Sequence, residues 1–64
     1  MTAKEFREWQ AAVGMSGREV AEHLGLSQNT ISAYRSNGVP PAESPRVRLA
    51  CAAIKAKLAP WGID

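Results

Sequence analysis

Few residues in this chain are equipped for covalent chemistry. Cys51 is the one cysteine and His23 the one histidine of the sequence. A nucleophile–base pair needs a third orienting group and an oxyanion-stabilising loop, and no such motif accompanies them. One cysteine closes no internal disulfide, and with a single histidine it cannot complete a zinc site. No enzymatic activity, cofactor, metal or small-molecule ligand is therefore expected. Cys51 reads as a small core residue and His23 as a solvated one. What the chain does concentrate is uncharged hydrogen-bonding side chains. Ser27, Gln28, Asn29, Thr30, Ser32, Ser36 and Asn37 fall in one short stretch, with Ala33 and Arg35 among them. Amides and hydroxyls of this kind suit the reading of a pattern of donors and acceptors. An idle solvated face is more often built from Glu and Lys.

The elements that must hold these residues follow from length and punctuation. With 64 residues, of which 45% are hydrophobic, the chain has room for one small domain and is not disordered by composition. Val, Ile and Thr are few and do not alternate, whereas Ala is abundant and Gly and Pro recur at intervals. That pattern favours short helices with sharp ends. The charged N-terminus does not read as a signal peptide, and no run approaches the ~20 apolar residues of a membrane span. A cytoplasmic protein is expected.

The first helix is predicted from about Ala3 to Val13. Thr2 and Glu5 make a capping box, Phe6, Trp9 and Val13 an apolar stripe, and Gly14 a stop. A second follows at once, with Ser16 and Glu19 as capping box and Met15 and Val20 as hydrophobic staple. Gly25 ends it. Ser27 caps a third, stapled by Leu26 and Ile31 and stopped at Asn37-Gly38. Pro40 and Pro41 stiffen the loop that follows. Ser44-Pro45 then reads as N-cap and first residue of a fourth helix, expected at about 45–59 and broken by Pro60.

Ala21 lies in the middle of the second helix, where a bulky side chain would push its neighbour away. Gly25 allows the left-handed backbone of a tight turn. Val20, Leu24, Leu26, Ile31 and Tyr34 fill the angle between the two helices. This is the steric recipe of a helix-turn-helix. Residues 17–37, GREVAEHLGLSQNTISAYRSN, resemble the helix-turn-helix of the phage Cro/repressor (XRE-type) DNA-binding family. The small Ala21, Gly25 four positions on and the surrounding apolar residues carry the likeness. After the third helix, Arg35-Ser36-Asn37-Gly38 and two prolines replace the family's usual Glu-Asn-Gly. That ending resembles compact YdaS-like or anti-CRISPR-associated regulators. The resemblance implies an all-α, compact four-helix domain of lambda repressor-like type, spanning residues 1–64 with the helix-turn-helix at about 16–37.

The residues themselves agree with a DNA-reading role. With Ile31 and Tyr34 as the buried direction and about 100° per residue, Asn29, Ser32, Ala33 and Ser36 point away from the core. Gln28 and Arg35 flank this surface on one side, Thr30 and Asn37 on the other. Gln or Asn can bond adenine bidentately, Ser and Thr several bases, and Ala33 can touch a thymine methyl. Gln28, Asn29, Ser32, Ala33 and Ser36 are therefore the expected base contacts. Ser16 and Gly17 open the second helix, whose amides can hold a phosphate, and Arg18 lies beside them. Arg46 and Arg48 are further phosphate candidates. Ser27, Thr30, Arg35 and Asn37 are expected at the flanks of the reading surface.

Charge is distributed unevenly. Through Glu22, three basic residues against four acidic ones give −1; from His23 onward, five against two give +3, for a total of +2. The fourth helix carries one apolar stripe through Val47, Cys51, Ile54 and Leu58, and a second through Leu49, Ala53 and Ala56. One stripe suffices for the core of so small a domain. Leu49, Ala53, Ala56, Trp61 and Ile63 are therefore the expected interface of a two-fold homodimer. The sequence thus predicts a small transcriptional regulator that binds double-stranded DNA at an inverted repeat. Lacking an effector domain, it would repress by occupancy, and the resemblance points to a phage or mobile-element operon. Two alternatives remain: an antitoxin-type interaction module, and an activator that touches polymerase through Glu19, Glu22 and His23.

Overall fold

A computed structural model describes residues 1–57. These residues form four helices and no strand: α1 (Ala3–Val13), α2 (Gly17–Leu24), α3 (Gln28–Asn37) and α4 (Ser44–Lys55). None of them is long and apolar enough to cross a membrane. Helices α1 and α2 each pack against both α3 and α4.

The local signals act as their chemistry requires. Thr2 Oγ1 accepts from the amide of Glu5 at 3.1 Å, and the Glu5 carboxylate accepts from the amide of Thr2 at 2.9 Å. Ser16 and Glu19 repeat the arrangement at 3.2 and 3.1 Å. Each box satisfies two amides that the helix leaves without a partner. At the far end of α2, Gly25 takes φ +68°, and the next amide, of Leu26, reaches back to the carbonyl of Ala21 at 2.9 Å. This closing pattern uses up a terminal carbonyl and turns the chain sharply into α3.

The core consists of Phe6, Val20, Ala21, Ile31, Tyr34, Val39, Val47 and Cys51, with Met1, Trp9, Met15, Leu24 and Leu26 packed against it. The Phe6 ring meets Tyr34 edge-on at a centroid distance of 5.5 Å, an arrangement favoured by the aromatic quadrupoles. Ala21 is almost fully enclosed, so its methyl sets how closely α2 and α3 approach.

Three expectations are corrected, and the core gains one residue. The buried side of α1 runs through Phe6 and Gln10, while Trp9 and Val13 are only half-buried at its edge. Trp9 stands there because its indole N–H donates to the carbonyl of Cys51 at 3.0 Å, across to α4. The proline loop also supplies a core residue. Val39 is buried, and its amide donates to the carbonyl of Met1 at 2.9 Å. Helix α4 begins at Ser44, with Glu43 rather than Ser44 at the cap position and no side-chain cap bond. The Ser44 hydroxyl accepts instead from the terminal ammonium of Met1 at 2.7 Å. Finally, α4 closes at Lys55, short of Ala59. The amide of Lys57 bonds the carbonyl of Ile54 at 3.0 Å, a tightened last turn, and Lys57 takes φ +59°. Leu58, Trp61 and Ile63 lie outside the described residues.

Candidate nucleic-acid interface

Helix α3 is held by its two inward residues, Ile31 and Tyr34, which are 2% and 3% exposed. That anchoring turns Gln28, Asn29, Ser32, Ala33, Ser36 and Asn37 outward, and all six are exposed. The result is one polar, uncharged face on a short helix. Its N-terminal flank is already organised. Ser27 Oγ caps the amide of Thr30 at 3.1 Å and shares a hydrogen bond with Thr30 Oγ1 at 2.9 Å. Ser27 therefore fixes the start of the helix, and Thr30 is half-buried against it.

Arg35 is placed differently from its neighbours. Its guanidinium reaches across to α1 and donates to Gln10 Oε1 at 2.6 Å, while its own carbonyl accepts from Arg7 at 2.5 Å. Neither α1 residue is apparent from apolar periodicity. Gln10 is 6% exposed, the buried polar residue of the core. Its position one helical turn after Phe6 was the available signal.

Ser16 and Gly17 sit at the N-terminus of α2, where the amides of Gly17 and Arg18 take no part in the Ser16–Glu19 box. Space beside Gly17 is open: a Cβ there would meet nothing within 4 Å. Arg18 is exposed and pairs with Glu22 at 3.5 Å, one turn on. Such a surface pair contributes about 0–1 kcal/mol and yields readily to a stronger anion. The two arginines of α4 face different ways. Arg48 pairs with Glu5 of α1 at 3.4 Å, whereas Arg46 edges a shallow hollow shared with Leu24, Leu26 and Tyr34.

The titratable groups follow their surroundings. The Glu5 and Glu19 carboxyls are held below their ordinary value, first by the backbone hydrogen bonds from Thr2 and Ser16. Tyr34 is raised by burial and then by its hydrogen bond to Glu43. Burial pushes the Cys51 thiol up to about 11, which leaves it protonated and unreactive at neutral pH. His23 is exposed and turns Nδ1 to the carbonyl of Glu19 at 2.8 Å. Among the described residues no three His, Cys, Asp or Glu side chains gather to hold a metal.

On α4, Leu49 is 73% exposed, the exposed large hydrophobic side chain of the described residues. Ala53 is half-buried and Ala56 exposed. No family model matches the chain, and neither the curated proteins nor the solved structures contain a match.

Proposed function

We propose that this protein is a helix-turn-helix regulator that binds double-stranded DNA in a sequence-specific manner. Helices α2 and α3 form the motif, and α3 is the reading helix. The observation that carries this reading is the outward face of α3. It presents amides, hydroxyls and a methyl group, without a charge, on a helix fixed by a tight glycine turn. Gln28, Asn29, Ser32, Ala33 and Ser36 meet base edges in the major groove, each good bidentate contact contributing about 1–3 kcal/mol of discrimination. The N-terminus of α2, with the Gly17 and Arg18 amides and the Arg18 guanidinium, meets the phosphate backbone. Ser16, Arg46 and Arg48 add to that contact, and Ser27, Thr30 and Asn37 border the groove.

The protein acts as a homodimeric repressor by occupying a promoter. Exposed Leu49, with Ala53 on α4 and Ala56 at its C-cap, supports pairing with a second copy, for which Trp61 and Ile63 are proposed from sequence. Two such copies would place their reading helices in successive major grooves, roughly 34–36 Å apart. The likeness of residues 17–37 to phage regulators supports a place in a phage or mobile-element operon.

Selection of bound duplexes from a random DNA pool tests the reading. Enrichment of an inverted repeat is expected. A pool that stays unenriched through repeated rounds overturns sequence-specific binding, and enrichment of single half-sites overturns the dimer. Sedimentation at micromolar concentration gives the oligomeric state independently.

A further inference from the structure

One side chain joins three elements. Gln10 of α1 donates from Nε2 to the carbonyl of Met15 at 3.0 Å and accepts at Oε1 from the Arg35 guanidinium at 2.6 Å. Met15 immediately precedes Ser16, the cap of α2. Arg35 lies in the last turn of α3. Arg7, one turn before Gln10 on α1, donates to the carbonyl of Arg35. Helix α1 thus grips the end of α3 twice, by side chain and by backbone, and grips the entry to α2 with the same amide that holds Arg35.

We propose that Gln10 is a positioning residue for DNA recognition. It sets the end of α3 against the start of α2, and so sets the base-reading surface in register with the phosphate-binding helix N-terminus. This rests on the DNA-binding reading above. The chemistry of the link supports it. A buried amide has a donor and an acceptor in fixed relative positions, so satisfying both defines one geometry. An apolar residue in the same space would fill the core equally well and would orient nothing. The bond also fixes Arg35. A guanidinium left loose beside the groove would attract any phosphate, whereas one held by Gln10 is withdrawn from indiscriminate contact.

The inference predicts a loss of discrimination rather than of affinity. Gln10→Met keeps the volume and removes both bonds. Gln10→Glu keeps an acceptor for Arg35 and removes the donor to Met15. Arg35→Met leaves the Gln10–Met15 bond in place. All three, with the unaltered protein, are titrated with the selected duplex and with an unrelated duplex over a salt series, alongside thermal melts. Gln10→Met should lower the ratio of specific to non-specific affinity about tenfold, the effect of one misplaced base contact. Its non-specific affinity should hold or rise, with a steeper salt dependence from the freed Arg35. Gln10→Glu and Arg35→Met should each show part of the loss in ratio. Backbone amide exchange in the absence of DNA should quicken in Gln10→Met at Gly17–Arg18 and at Ser36–Gly38 together.

A lower melting temperature with an unchanged affinity ratio in every variant that folds, or exchange that quickens at one end only, overturns the positioning role. The DNA-binding reading then stands. If the unaltered protein itself fails to distinguish the two duplexes, the DNA-binding reading falls, and the positioning role with it.

Discussion

The phenol of Tyr34 donates to the carboxylate of Glu43 at 2.8 Å, so the inner side of α3 is bonded to the residue that leads into α4. The Tyr34 side chain packs in the core against Phe6, and its hydroxyl emerges beside the proline loop. Tyr34→Phe should destabilise the fold by about 1–2 kcal/mol, the usual contribution of a hydrogen bond to a charged partner. Glu43→Gln should cost less, because the amide oxygen still accepts. Urea midpoints at constant slope check both. The raised Tyr34 ionisation adds a pH signature. Its contribution is complete below the ordinary value of 10.0 and is lost as pH rises through the higher folded value. Alkaline destabilisation should therefore be weaker in Tyr34→Phe.

Acid should loosen the first two helices. Glu5 and Glu19 are lowered from the ordinary 4.5, chiefly by amide hydrogen bonds to the ionised form. Their contribution is present above that value and disappears as pH falls through the lower folded one. Melting temperature followed from pH 6 down to about pH 3 should decline, and the double substitution Glu5→Gln with Glu19→Gln should flatten the decline. An equal slope in the double variant would show that the capping carboxylates do not control the acid response.

Two glycines with positive φ should respond differently to alanine. At Gly25, φ is +68° and a Cβ would meet nothing within 4 Å, so only backbone strain opposes it. A cost of about 1 kcal/mol is expected. At Gly38, φ is +88° and a Cβ would come within 2.9 Å of the Met1 carbonyl oxygen. Gly38→Ala must also displace the Met1–Val39 pairing. It should lower stability by about 2–3 kcal/mol, measured by urea titration. Similar values at the two sites would mean that the Met1 segment moves aside freely.

The proposed reading surface should separate two kinds of contact. Gln28→Ala or Asn29→Ala should weaken binding to the selected site by about 1–3 kcal/mol and leave non-specific binding nearly intact. Arg18→Ala or Arg46→Ala should weaken both, and each should reduce the salt slope by about 1. Gel-shift or anisotropy titrations over a salt series provide the measurement. Full selectivity after alanine replacement of Gln28, Asn29 and Ser32 together would exclude this face of α3 as the reader.

What could be read from sequence was what is local. The Thr2–Glu5 and Ser16–Glu19 boxes announce themselves by spacing and residue type, and glycines 14, 25 and 38 mark the ends of three helices. The outward set on α3 follows once Ile31 and Tyr34 are taken as inward, since a helix has only one other side. What the sequence does not reveal involves distant partners. Gln10 is polar, so counting apolar residues puts it outside; its burial depends on Met15 and Arg35 being there to satisfy it. The bond from Arg35 to Gln10 is invisible to a helical projection, which cannot know that α1 offers an acceptor. Val39 sits among prolines with no periodicity, and only its pairing with Met1 draws it inward. Ser44 resembles an N-cap by type, yet its hydroxyl is engaged by the ammonium of Met1.

The bond from Trp9 to the carbonyl of Cys51 has an optical consequence. Indole emission depends on what its N–H touches, so Trp9 is a natural fluorophore at the seam between α1 and α4. With Trp61, the chain's other tryptophan, replaced by Phe, a single emitter would report on that seam. Separation of α4 from α1 would shift its colour before the helical circular dichroism signal changed. Undocking of the helix that carries Leu49 could then be timed apart from unfolding, without attaching a dye.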